Sequence, residues 1–123
     1  KEKSYVAVSI LMDLKKGNPG QIKSKMKKLQ NQRREKQPLS RPSAGSIFKR
    51  PPDNYAGALI EKAGLKGTQI GGAAVSTKHA GFIINKGSAS AADIKNLITY
   101  IQNQVQQKFG VKLEPEPIFI GEF

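Results

Sequence analysis

The chain has 123 residues, room for one domain with a modest core, and carries a formal net charge of +12. It has no cysteine and a single histidine, which excludes a disulfide framework and thiolate catalysis and leaves little for a transition metal, so no metal site is expected. The longest apolar stretch, residues 5–14, is interrupted by Ser9 and Asp13 and is too short to span a bilayer. No signal-peptide pattern opens the chain, and a cytoplasmic protein without a membrane partner is expected. The charge is concentrated: residues 1–50 hold 14 Lys and Arg against three acids, whereas residues 51–123 hold seven against six. Such a basic segment favours an anionic partner, whether nucleic acid, an acidic membrane surface or a phosphorylated small molecule.

In chain order, residues 5–14 alternate and are rich in β-branched side chains, which predicts a strand. Asn18 and Pro19 follow as an N-cap and first helical residue. The helix they open carries Ile22, Met26 and Leu29 on one face, a thin stripe that predicts light docking on a core, and Pro38 stops it. Residues 37–53 contain four prolines and read as a structured loop with a short strand at 46–49. Asp53 or Asn54 is expected to cap a helix over 55–63, ended by Gly64. The glycine-punctuated stretch from Leu65 to Ser76 accommodates short strands, and residues 82–85 form another. Ser90 and Asp93 have the spacing of a capping box for a helix over about 91–108, with Ile94, Leu97, Ile98, Ile101 and Val105 as its buried stripe and Gly110 as its stop. Closing strands are expected at 111–113 and 118–120. The fold class is α+β: a small mixed sheet of short strands packed with two or three helices.

Several motifs invite chemistry. Ser46 sits in Ala-Gly-Ser-Ile-Phe, which lacks the spacing of a nucleophile elbow or a P-loop, and nothing in sequence ties His79 to it. On the residues alone, a glycine turn with serines bonded to backbone is the commoner outcome. Gly71-Gly72 lacks the dinucleotide-binding spacing and suits a close backbone approach. Glu114 and Glu116 lie between prolines on stiff backbone, and alternation sends both to one face, so pattern does not choose between them. The Lys/Arg run over 23–36 is either a solvated helix face, a nucleic-acid footprint or the rim of a phosphate pocket; it contains no aromatic platform for bases.

Three ordered stretches, KQPLSRPSAGSIFKRP, YAGALIEKAGLKGTQIGGAAVSTKHAGFIIN and FGVKLEPEPIFIG, resemble the substrate-binding C-terminal domain of the UDP-N-acetylenolpyruvoylglucosamine reductase (MurB) family. The resemblance implies a division into residues 1–16, the last strand of a mostly missing FAD-binding domain, and residues 17–123, the substrate-binding domain. It implies an enzyme of peptidoglycan precursor synthesis in which NADPH reduces FAD, the flavin delivers a hydride to an enolpyruvyl double bond, and the resulting carbanion is protonated. Ser46 matches the family's proton donor and Glu116 its catalytic glutamate. Arg50, His79, Lys36 and, beside Arg50, Lys49 match or neighbour substrate-binding positions. The chain alone is expected to hold neither FAD nor NADPH and to be inactive without the flavin domain. One departure is Pro117-Ile118 where relatives commonly carry Val-Arg. The basic helix then serves a phosphorylated substrate; the alternative is a basic nucleic-acid-binding module.

Overall fold

A computed structural model describes residues 7–121. Its elements are α1 (Pro19–Lys36), β1 (Ser43–Ser46), α2 (Ala56–Lys62), β2 (Gln69–Ile70), β3 (Ala73–Val75), β4 (Phe82–Asn85) and α3 (Ala91–Phe109). The strands form one sheet in the order β1-β4-β3-β2. Every pairing is antiparallel, so the sheet is not mixed, while the α+β class stands. One long crossover, from β1 through α2 to β2, places the first strand beside the last.

The core lies between this sheet and α2 and α3. Leu97, Ile98, Ile101 and Val105 recur at helical spacing on α3 and are all buried, with Ile94 packed at the margin. They meet Leu59 and Ile60 of α2, Val75 and Ile83 of the sheet, and Ile47, Phe48 and Leu113. Each such side chain contributes about 1.5–3 kcal/mol by leaving water. The capping box is formed: Asp93 N–H donates to Ser90 Oγ at 3.1 Å, and Ser90 N–H donates to Asp93 Oδ2 at 2.9 Å. Gly110, at φ 68°, ends the helix in the left-handed conformation.

The same Asp93 carboxylate accepts a second backbone N–H, from Gly72 at 3.3 Å, and so clamps the β2–β3 turn to the start of α3. A Cβ at Gly71 would fall 2.3 Å from that carboxylate, and one at Gly72 would fall 2.3 Å from Ala89 N. The glycine pair therefore permits a close backbone approach. The Ser90 and Gly72 N–H groups, in that order, hold the Asp93 carboxyl below its usual range.

Beyond the sheet, five expectations need correction. The strand expected at 46–49 runs instead over Ser43–Ser46. Tyr5 and Val6 lie outside the described residues, and Ala7–Leu14 forms no strand, because no neighbouring strand pairs with it among the described residues. Its apolar side chains stand exposed. Helix α1 forms as capped, with Asn18 Oδ1 accepting Gln21 N–H at 3.1 Å, yet it buries no residue; Ile22, Met26 and Leu29 each remain about half exposed. Helix α2 is capped by neither Asp53 nor Asn54; Tyr55 holds that position without a side-chain hydrogen bond, while Asp53 takes φ 55° in the preceding turn. Finally, 111–113 and 118–120 are not strands. The segment that pairs is the one between them, through the antiparallel bridge of Phe48 with Pro115.

Candidate functional site

That bridge builds the site. Lys49 N–H donates to Glu114 O and Glu116 N–H donates to Ile47 O, both at 2.9 Å, so the Glu-Pro-Glu-Pro segment runs alongside the chain leaving β1. Proline lacks an amide donor, and here only Glu116 N–H and Glu114 O are required, so Pro115 sits in the ladder at no cost in hydrogen bonds. Ile47 N–H in turn donates to Gly81 O at 2.9 Å, which ties the serine loop to the turn before β4.

A cavity of about 570 Å³ opens on this junction. Ser46, Arg50, His79 and Glu116 all line it, so four of the six residues singled out from sequence meet in one place. The volume is that of a small-molecule site. Ser46 is an exposed residue, and its Oγ donates only a long, part-buried contact of 3.4 Å to Phe48 O. Ser46 and Glu116 also share the wall of a smaller hollow of about 300 Å³, with Gly45 and Pro117.

His79 also lines the cavity. Its Nδ1 accepts Gly81 N–H at 3.1 Å, and its ring meets Phe82 edge-on at a centroid distance of 5.0 Å. An accepting Nδ1 leaves the ring proton on Nε2, available as a donor. The turn carrying it is organised by Ser76, a buried hydroxyl whose oxygen accepts the N–H groups of Lys78 and His79, both at 3.2 Å. Gly57 and Gly81 leave room for the imidazole: a Cβ at either would sit 3.3 or 3.1 Å from its ring carbon.

The cations separate into two groups. Arg50 lies over the Tyr55 ring, its guanidinium carbon 4.1 Å from the centroid. Lys78 also lines the cavity, and its Nζ donates to Arg34 O at 2.6 Å, joining the last turn of α1 to the rim. Lys49 instead pairs with Glu114 and does not line the cavity, and Lys36, at the end of α1, lies outside the lining as well. Tyr55, Glu61 and Lys78 are lining residues that the motifs did not single out. For Tyr55 a signal existed: a tyrosine stands where the helix start would favour a short polar cap. Among the described residues no group of three His, Cys, Asp or Glu is placed to hold a metal ion, and no helix is long and apolar enough to cross a membrane.

Fold and site together define a small α+β domain with a cavity lined by a serine, a carboxylate, a histidine and cations. Residues 37–120 match the family described as UDP-N-acetylenolpyruvoylglucosamine reductase, C-terminal domain, and the chain belongs to that family. It is 57% identical over 121 residues to the UDP-N-acetylenolpyruvoylglucosamine reductase of Caldanaerobacter subterraneus subsp. tengcongensis, covering 98% of this chain and 40% of that protein. To the protein of the same name from Oceanobacillus iheyensis it is 53% identical over 121 residues, covering 98% and 39%. The crystal structure of UDP-N-acetylenolpyruvylglucosamine reductase (MurB) from Thermus caldophilus superposes with a TM-score of 0.68 at 38% identity, covering 85% of this chain and 37% of that one. The chain thus spans about 40% of the length of the curated relatives it matches.

Proposed function

We propose that this chain is the substrate-binding, proton-donating part of an FAD-dependent reductase that converts UDP-N-acetylenolpyruvoylglucosamine to UDP-N-acetylmuramate with NADPH, in the cytoplasm. The observation that carries the reading is the convergence of Ser46, Glu116, Arg50 and His79 on one cavity from three separate stretches of chain. The remainder of the relatives' length would supply the flavin domain. The basic nucleic-acid module gains no support: the relatives the chain matches are named reductases, and the basic helix carries no aromatic side chain.

When bound in the native-length protein, flavin supplies the hydride. The cavity itself does not fit an isoalloxazine: its tyrosine ring already carries Arg50, and the other lining residues are mostly small or charged. No step assigned to this chain runs through the cofactor. Arg50 and Lys78 offer charge-assisted hydrogen bonds to a diphosphate, and His79 Nε2–H adds a neutral donor. Ser46 O–H gives its proton to the carbanion carbon next to the substrate carboxylate. An alcohol is a weak acid, so this step requires a fixed hydroxyl in direct reach of the carbon. The ladder to Glu116 supplies the fixing, and the Glu116 carboxylate stands at the same end to orient the hydroxyl and the charge that develops there. In the native-length protein, Ser46→Ala leaves reduction of flavin by NADPH intact and stalls its reoxidation by substrate, measured by stopped-flow absorbance. Reoxidation at the normal rate would remove Ser46 from the mechanism.

A further inference from the structure

Tyr55 is poorly explained by folding. At the start of α2 it makes no capping hydrogen bond, where Ser, Thr, Asp or Asn would stabilise the helix by about 1 kcal/mol. It is also 62% exposed, so it adds little to the core. Its ring instead carries Arg50, brought over it by the turn through Pro51, Pro52 and Asp53. We infer that Tyr55 is a positioning residue, whose ring face holds the Arg50 guanidinium at the cavity rim with its charge unneutralised for an anionic ligand. The inference rests on the reading of the cavity as a diphosphate site.

The neighbouring cation supplies the contrast. Lys49 is paired with the Glu114 carboxylate, whereas the contact that fixes Arg50 is with a neutral ring. A carboxylate partner would compete with the ligand for the guanidinium. An aromatic face fixes the planar group from one side and leaves its N–H edge open to phosphate oxygens. The side-chain entropy that Arg50 would lose on binding is then largely lost in advance.

The test is calorimetric titration of the native-length protein with UDP, inorganic pyrophosphate and uridine, for the wild type, Tyr55→Phe and Tyr55→Leu. The expected result is that Tyr55→Leu weakens UDP and pyrophosphate alike, by about 3- to 10-fold, while Tyr55→Phe, which keeps the ring, binds both as the wild type does. Far-ultraviolet circular dichroism should be unchanged in both variants. Wild-type affinity for UDP in Tyr55→Leu would overturn the inference and leave the diphosphate reading standing. A loss confined to uridine, with pyrophosphate unaffected, would overturn it in favour of a nucleobase platform. A wild-type protein that binds neither UDP nor pyrophosphate would sink both readings.

Discussion

Arg50 and Lys49 are adjacent in sequence and equal in charge, but their surroundings assign them different work. Lys49 pairs with an exposed carboxylate, an interaction of about 0–1 kcal/mol. Arg50 faces the cavity with its charge available. Arg50→Ala is therefore expected to weaken UDP binding by about 10- to 100-fold, the range for loss of a hydrogen bond between charged groups, and Lys49→Ala far less. Equal losses in a calorimetric comparison would contradict the division. None of this separation is visible in the dipeptide. It depends on Glu114 arriving from 65 positions away and on Tyr55 closing a turn. Ser46, Arg50, His79 and Glu116 were recognisable because their motifs resemble a known family; Tyr55 and Lys78 lie in the same resembling stretches, but no role attaches to them until the fold brings them to the cavity.

At the scale of elements, helix α3 and its caps could be read directly, since a 3.6-residue apolar repeat, a capping box and a terminal glycine are all local signals. The C-terminal segment could not. Its apolar triplets suggest strands, but the register is set by Lys49 and Ile47, with two helices and three strands of chain between, and the polar, proline-bearing stretch is the one that pairs. The Asp93 clamp is similarly non-local, and it yields two predictions. Gly72→Ala drives a Cβ into the Ala89 backbone, and thermal unfolding should report a loss of about 1–3 kcal/mol. The Asp93 carboxyl is held below the value near 4 that it takes in an unfolded chain. Its stabilisation is thus complete above that pH and fades as pH falls through the folded value. Urea midpoints measured from pH 7 downward should show the gap between wild type and Asp93→Asn narrowing in acid; a constant gap would mean that ionisation of Asp93 contributes nothing.

Across the whole molecule, order is graded. The sheet, α2 and α3 share one core, whereas α1 buries no side chain and reaches the cavity rim through Lys78 and the Arg34 carbonyl. Isolated helices of this length are marginal in water. Amide hydrogen exchange should find α1 exchanging orders of magnitude faster than Leu97–Val105 of α3. Comparable protection would mean that α1 is packed against something in solution. The sequence misleads here because its stripe of Ile22, Met26 and Leu29 signals helix correctly but says nothing about which surface covers it.

Ser46 and Glu116 line both the larger cavity and the smaller hollow. Under the proposed reading, a proton donor that borders two hollows can be approached from either, so filling the larger cavity leaves Ser46 a second open side.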